Sequence, residues 1–295
     1  MWTRRQFLKT SAATVGAMAS LGGYAWGVEP HWVEIVRREL PLVGLPAELR
    51  GRTLVQLSDL HVGHRVSEAY LVHSLELAAA LEADIVVLTG DYIAYREHYD
   101  WSALGRVASH IPHGRLATIA IYGNHDYGIA WSQPEVAARV AEVLRAQGIL
   151  LLQNDVTAVA GLAIAGLDDL WGPNFNPAET LRRLPQDTDS IVLCHNPDAV
   201  DLPVFQDVRG WVLAGHTHGG QCKPPFLPPP ILPVRNRRYT AGPFDIGPGR
   251  MLYINRALGY LWRVRFNVRP EITCFTLVDS DVTLVRGRNT RAETE

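Results

Sequence analysis

The sequence predicts an α/β fold. Short apolar runs alternate with segments of helical periodicity, polar motifs directly follow the apolar runs, and these motifs recur at a nearly constant spacing. Asp59, Asp91 and Asn124 are separated by 32 and 33 positions, which is about the length of one strand–helix–strand unit. Because such units bring the carboxyl ends of parallel strands to one edge of a sheet, we expect the motifs to converge in space.

The first part of the chain alternates strands with helices. Leu71, Leu75 and Ala78 recur at helical spacing and would share one helix face. Pro134 suits the first turn of a helix, and Gly148 suits the position after its end. The predicted strands are 53–57, 84–88 and 116–121, and the predicted helices are 67–82, 101–110 and 134–147.

Strands dominate the second part, where short apolar runs are separated by turn residues. They are predicted at 150–152, 156–159, 162–165, 190–193, 210–213, 251–254, 272–278 and 282–285. Together these elements predict one domain over 51–287. A connecting segment, 28–50, precedes it with one edge strand near 31–38, and a frayed tail, 288–295, follows it.

The N-terminus differs in kind from the rest. Arg4 and Arg5, followed by Phe7, Leu8 and Lys9, precede an uncharged stretch rich in Ala and Gly. This pattern resembles a twin-arginine export signal and predicts a signal segment over 1–27. The implied partner is the twin-arginine export machinery, and the implied location is periplasmic or otherwise extracytoplasmic. The apolar stretch is short for a membrane span, so a loose anchor on the membrane surface and an ordinary N-terminal helix remain alternatives.

Composition excludes several classes of protein. The 295-residue chain has a formal net charge of -2, so no nucleic-acid partner is expected. Its three cysteines are widely spaced and include no CxxC pair. A disulfide framework and a thiolate zinc site are therefore not expected.

The residues that follow the predicted strands form one chemical set. They combine carboxylate, amide and imidazole side chains without a thiolate, and such donors suit two divalent ions such as Mn, Fe, Zn or Co. Each motif alone is common in proteins, but five in order, each after a strand, predict a metal centre. The candidate metal and catalytic residues are Asp59, His61, Asp91, Asn124, His125, Asp126, His195, His216 and His218.

These motifs resemble the signature of the calcineurin-like metallophosphoesterases, over about residues 51–285. The matching motifs are Ser58-Asp59-Leu60-His61, Thr89-Gly90-Asp91, Gly123-Asn124-His125-Asp126, Cys194-His195 and Gly215-His216-Thr217-His218. The resemblance implies a four-layer α/β/β/α sandwich of two mixed β-sheets. The Gly219-Gly220-Gln221 continuation and the proline-rich loop behind it resemble an exported or membrane-associated bacterial phosphodiesterase subgroup. Ala94 stands where iron-containing purple phosphatases have a tyrosine ligand, so a tyrosinate-bound ferric site is not expected.

The resemblance also implies a role for each candidate. Asp91 would bridge the two metals, His125 would act on the transition state or the leaving oxygen without binding metal, and Asp126 would orient the His125 imidazole. The first metal would be held by Asp59, His61 and His218, and the second by Asn124, His195 and His216.

The predicted activity is hydrolysis of a phosphodiester or pyrophosphate bond by a hydroxide held between the metals. A UDP-2,3-diacylglucosamine-type lipid-precursor pyrophosphatase, a phosphomonoesterase and a catalytically dead metal-binding module remain alternatives. The substrate would be a phosphate-containing small molecule or a lipid-linked phosphate. His64, close after His61, and Arg265, in an arginine-rich segment, are weaker candidates for substrate binding. A histidine at the position of His64 is more often just an exposed loop residue, and a solvated surface or salt-bridged strands explain Arg265 equally well.

Overall fold

A computed structural model describes residues 3–280. The predicted strand 282–285 and the predicted tail 288–295 lie outside these residues. Within them the chain forms two mixed β-sheets of six strands each.

The first sheet has the strand order β1-β12-β2-β3-β4-β5. β12 pairs antiparallel with β2 and parallel with β1, while β2 to β5 are mutually parallel. The parallel arrangement places the ends of β2, β3 and β4 at one edge. The strands are β1 Glu34–Leu42, β2 Thr53–Leu57, β3 Ile85–Leu88, β4 Ala117–Ala120, β5 Leu150–Leu151 and β12 Glu271–Asp279.

The second sheet has the order β10-β11-β9-β8-β7-β6. The four central strands are parallel, and an antiparallel strand closes each edge. β8 and β9 end side by side, as β2 and β3 do in the first sheet. The strands are β6 Asp155–Val159, β7 Leu162–Gly166, β8 Ser190–Leu193, β9 Gly210–Ala214, β10 Gly242–Gly247 and β11 Arg250–Ile254.

Three apolar cores separate four layers. In β2, Val55 and Leu57 pack with the helices outside the first sheet, whereas Leu54 faces the second sheet because successive side chains point to opposite faces. Ile191 of β8 joins the core between the sheets, and Val192 joins the core outside the second sheet. The predicted α/β/β/α sandwich is confirmed. The helices are α1 Arg4–Gly27, α2 Glu68–Ala79, α3 Trp101–Ala108, α4 Pro134–Ala146 and α5 Pro177–Arg182.

The sequence patterns missed several elements. β10 and α5 were not predicted, since β10 has no buried residue and little apolar alternation and α5 has only six residues. The connecting segment does contain an edge strand, β1, which begins at Glu34 and extends to Leu42.

Helix α1 stands apart from these layers. Thr3 caps its first turn in a capping box with Gln6. Of its 24 residues only Ala25 is buried, and Phe7, Leu8 and Val15 are all more than half exposed. Among residues 3–280, α1 and the other helices each fall short of the length and apolarity that a membrane crossing requires.

Candidate metal centre

The candidate ligands lie where the carboxyl ends of the two sheets meet. Asp59 and His61 follow β2, Asp91 follows β3, and Asn124 follows β4 in the first sheet. In the second sheet His195 follows β8, and β9 runs into a turn that carries the remaining two histidines. The side chains of these candidate ligands are all buried.

The buried side chains form two clusters, and each draws on both sheets. Asp59 and His61 of the first sheet meet His218 of the second, and Asp91 of the first meets His195 and His216 of the second. His218 Nε2 lies 3.1 Å from both Asp59 Oδ1 and His61 Nε2. In the other cluster His195 Nε2 lies 3.2 Å from Asp91 Oδ2 and from His216 Nδ1.

Asp91 connects the two clusters. Its Oδ2 lies 3.2 Å from His195 Nε2 and 3.6 Å from His61 Nε2, so one carboxylate oxygen lies close to a histidine of each cluster. Its Oδ1 accepts the backbone N–H of His125 at 2.8 Å. This is the geometry that a carboxylate bridging two cations requires.

The backbone at these ligands is held in an uncommon conformation. Asp59, His61, Asp91, His216 and His218 all have positive φ, between 48° and 68°. A residue other than glycine in this region costs on the order of 1 kcal/mol or more, and such residues cluster at functional sites. The fold therefore holds five candidate ligands in strained conformations that turn their side chains toward one point.

Two glycines let the loops approach so closely. A side chain at Gly123 would collide with the carboxylate of Asp91, and one at Gly215 would collide with Ser58 and with the carboxylate of Asp59. The glycines in the Gly123-Asn124-His125-Asp126 and Gly215-His216 motifs therefore make room for the two central carboxylates.

Backbone carbonyls fix which histidine nitrogen faces the centre. His195 Nδ1 lies 2.6 Å from the carbonyl oxygen of Thr89, and His216 Nε2 lies 2.8 Å from that of Pro233. Because a carbonyl only accepts, those nitrogens carry the protons. The opposite nitrogens, Nε2 of His195 and Nδ1 of His216, therefore face the centre, which is the usual arrangement of a metal-binding histidine.

The charges of the donor set suit a divalent cation. Burial works against ionisation of Asp59, yet His218 and His195 hold the pKa of that carboxyl well below its ordinary value. Burial lowers the pKa of both His61 and His216 to about 3. At neutral pH the centre thus presents an anionic Asp59 carboxylate beside the neutral imidazoles of His61 and His216, whereas, despite burial, Asp91 and Asp59 raise the pKa of His195 well above its ordinary value, so His195 releases a proton when a cation binds.

The buried side chain of Asn124 also suits metal binding. Both the oxygen and the nitrogen of the Asn124 side chain are buried without a hydrogen-bond partner in the described residues. A buried polar group without a partner costs about 1–3 kcal/mol. A metal ion bound to the Asn124 oxygen would satisfy that atom, so the two clusters and Asn124 fit two metals.

His125 lies beside the ligands but outside both clusters. Its half-buried ring meets the ring of His61 edge-on, with centroids 5.0 Å apart. Its imidazole stays available to substrate.

Asp126 does not orient His125, and that prediction was wrong. Its fully buried carboxylate accepts the backbone N–H groups of Asp91, Tyr92 and Gly123 at 2.8–2.9 Å. His125 is not among the hydrogen-bond partners of this carboxylate. Asp126 instead pins the loop of the bridging Asp91 to the loop after β4.

Arg265 is not a substrate contact, and that prediction was also wrong. The side chain is fully buried, and its guanidinium donates to the backbone carbonyls of Arg256, Ala257, Gly259 and Val268. It therefore stabilises a loop rather than reaching solvent.

His64 is exposed and does not join the metal ligands. It lines a cavity of about 430 Å³ together with Arg65 and Arg263. Its role in substrate binding stays a prediction.

Sequence reasoning missed two residues beside the centre. Trp131 packs near His125, and the fully buried Asp169 follows β7. Asp169 obeys the same rule as the ligands, a polar residue after an apolar strand, so the pattern could have identified it. Trp131 lies in a loop with no such local signal.

Two six-stranded sheets that assemble two ligand clusters joined by one carboxylate define a dinuclear metallohydrolase. The sequence model of the calcineurin-like phosphoesterase family matches residues 52–220, which is more than half of the chain. The chain belongs to this family and is a metal-dependent phosphoric ester hydrolase.

Relatives match over nearly the whole chain. The phosphodiesterase YaeI of Escherichia coli is 33% identical over 94% of this chain and 100% of its own length. The uncharacterized metallophosphoesterase YkuE of Bacillus subtilis is 34% identical over 93% of this chain and 97% of its own. The UDP-2,3-diacylglucosamine pyrophosphatase LpxG of Chlamydia trachomatis is 26% identical over 89% and 95%, respectively.

Proposed function

We propose that the chain hydrolyses a phosphodiester or pyrophosphate bond rather than a phosphate monoester. The position of Asp91 supports hydrolysis at two metals, because one carboxylate oxygen lies near both clusters while the other accepts the His125 backbone N–H; the preference for a diester or pyrophosphate rests on the relatives. The relative named a phosphodiesterase and the relative named a pyrophosphatase support it.

The residues divide the work by position. Two bound divalent ions would lower the pKa of the water bound to them and would neutralise charge on the phosphate oxygens. Asp59, His61 and His218 would hold one ion, while Asn124, His195 and His216 would hold the other, with Asp91 shared. Manganese, iron, zinc and cobalt all suit these donors, and reconstitution of metal-free protein with each ion ranks them.

His125 is placed to act on the leaving group. Its ring lies edge-on against that of His61 and is half-buried, so it can reach a bound phosphate. A donor at the leaving oxygen offsets the negative charge that develops there. All the candidate ligands and His125 are present, which argues against a catalytically dead module.

The test compares two substrates at equal metal loading. Purified protein with Mn²⁺ is assayed on bis(p-nitrophenyl) phosphate and on p-nitrophenyl phosphate. We expect kcat/KM to favour the diester. A preference for the monoester would make the protein a phosphomonoesterase, and cleavage of neither with any of the four metals, together with no cleavage of a pyrophosphate, would refute the proposal.

A lipid-linked pyrophosphate is the second candidate substrate. One relative is a UDP-2,3-diacylglucosamine pyrophosphatase by name, and α1 exposes an apolar surface beside the domain. The discriminating measurement is hydrolysis of UDP-2,3-diacylglucosamine in mixed micelles, with product detection by mass spectrometry. Turnover no faster than that of bis(p-nitrophenyl) phosphate would exclude a specialised lipid substrate.

The site is proposed to work outside the cytoplasmic membrane. Arg4 and Arg5 head an export-type motif. Exposed Trp26 and Trp32 at the end of α1 and just beyond it carry Arg263 and Arg269 over their rings, a combination that suits a membrane surface. Replacing both leading arginines by lysine should retain the protein in the cytoplasmic fraction. Unchanged fractionation would exclude the twin-arginine route.

A further inference from the structure

Two tryptophans form one wall of the metal centre. The rings of Trp131 and Trp171 are stacked, with centroids 4.7 Å apart and an angle of 24° between their planes. Trp171 meets the ring of His216 edge-on at 4.6 Å, and Trp131 lies 6.5 Å from the ring of His125. The pair therefore spans the distance from a candidate ligand to the residue placed at the leaving group.

The backbone holds this pair at a conformational cost. Ala130 and Trp131 both have positive φ, 52° and 57°, and neither is the glycine that this region favours. The turn is tied by a hydrogen bond from Ile129 N–H to Gln133 Oε1 at 2.6 Å. Strain of this kind persists where the surrounding structure enforces it and is frequent at ligand-binding sites.

Asp169 holds the backbone of Trp171, the second tryptophan of the pair. Its fully buried carboxylate accepts the backbone N–H of Trp171 at 2.8 Å. Trp131 is 36% exposed, and neither indole belongs to the three apolar cores. Core packing therefore does not explain the pair, which keeps a flat apolar surface in contact with solvent next to the metal centre.

We propose that Trp131 and Trp171 form an aromatic subsite that stacks a planar ring of the substrate. The ligand class is an aryl group or a nucleobase attached through the phosphate bond that is cleaved. This inference rests on the proposed function, because it assigns the ring to the group that leaves on the His125 side. Stacking on an indole requires a flat π-surface and tolerates different rings.

A pair of phosphonates tests this subsite without catalysis. Phenylphosphonate and cyclohexylphosphonate share the anionic group and have rings of similar size, but only the first ring is planar. Calorimetric titration of the Mn²⁺-loaded protein should give phenylphosphonate a Kd roughly tenfold lower, the size expected for stacking on an aromatic side chain. A nucleoside 5′-thiophosphate as a third ligand separates the nucleobase from the simple aryl group: tighter binding than phenylphosphonate assigns the subsite to a nucleobase, and weaker binding assigns it to an aryl ring.

Variants locate the preference on the pair. Trp131→Ala and Trp171→Ala should each abolish the preference for the planar ring, Trp131→Phe should keep most of it, and Trp262→Ala, at a 60% exposed tryptophan, should leave it unchanged. Circular dichroism checks that each variant is folded, and the phenylalanine variant keeps the test valid if an alanine variant is not. Equal binding of the two phosphonates by the unaltered protein, or a preference that survives both alanine changes, overturns the inference.

The two proposals fail in different measurements. Phosphonates are not hydrolysed, so binding reports on the subsite even if the protein proves to prefer monoesters. Conversely, if the protein hydrolyses the diester but binds both phosphonates equally, the proposed function is supported and the aromatic subsite is refuted.

Discussion

The two sheets supply different chemistry to one centre. The first sheet contributes every oxygen donor, from Asp59, Asp91 and Asn124, and the second contributes only imidazoles. Neither sheet holds a complete cluster, because each cluster mixes first-sheet and second-sheet residues. The comparison teaches that the metal centre is a property of the interface between the sheet edges.

The two sides are also held in place differently. On the first-sheet side a side chain, Asp126, ties the loops together through three backbone N–H groups. The histidines of the second sheet are instead oriented by backbone carbonyls, His195 by that of Thr89, which directly follows β3 of the first sheet, and His216 by that of Pro233. Side-chain replacements should therefore disturb the first-sheet side more than the second.

The largest effect is expected at the carboxylate that both clusters share. Asp91→Asn keeps the shape but removes the negative charge facing His61 and His195. We expect kcat/KM for bis(p-nitrophenyl) phosphate to fall by roughly a thousandfold or more and the bound metal to decrease. Asp155→Asn, at an exposed ion pair with Arg183, is the matched control. Retained metal with full activity in Asp91→Asn would rule out a bridging role.

Removing His125 should leave metal binding intact while slowing the reaction. His125→Ala deletes the only histidine of the motif set that lies outside both clusters. We expect a loss of about 10²–10³ in kcat, with metal content by mass spectrometry unchanged. His113→Ala, at an exposed histidine, serves as control. Loss of metal in His125→Ala would instead make it a ligand.

A smaller effect is expected for the side chain that pins the first-sheet loops. Asp126→Asn replaces one acceptor oxygen by an amide that repels an N–H donor. We expect activity to fall by about 10–100-fold and the free energy of unfolding to fall by about 1–3 kcal/mol. Urea denaturation and steady-state kinetics measure the two effects. A drop confined to kcat, with unchanged stability, would contradict the pinning role.

At Asp169 the expected effect is on stability and depends on pH. Burial raises the pKa of this carboxyl to about 7, against about 4 in an unfolded chain. Between those values the folded protein binds more protons than the unfolded one, so stability falls as pH rises from about 4 to 7, by at most about 1.4 kcal/mol per pH unit.

Asp169→Asn removes that dependence. The difference in free energy of unfolding between the metal-free variant and the metal-free unaltered protein should grow in favour of the variant as pH rises from 5 to 7. Urea denaturation at both pH values measures it. A constant difference would show that Asp169 does not take up a proton on folding.

Most of the fold and the site follows from local patterns. The ends of β2, β3, β4, β8 and β9 were predicted to within two residues, because buried strands are short apolar runs that stop at polar motifs. The assignments of Asp126 and Arg265 failed because local patterns do not show side-chain contacts: Asp126 accepts N–H groups of Asp91 and Tyr92, and Arg265 turns back onto carbonyls of its own loop. From the sequence, Arg265 resembles an anion-binding residue. The structure shows instead that it is fully buried and donates its hydrogen bonds to four backbone carbonyls.

The sequence by itself determined which donors reach the strand ends, since the alternation of strand and helix and the polar motifs are local. Only the tertiary structure decided how they combine. Packing of the apolar faces between the sheets sets the second-sheet edge against the first, and this places His218 3.1 Å from Asp59 and His195 3.2 Å from Asp91. It also stacks Trp131 on Trp171 beside them. These distances join residues more than a hundred positions apart or in unpatterned loops, so no local rule contains them.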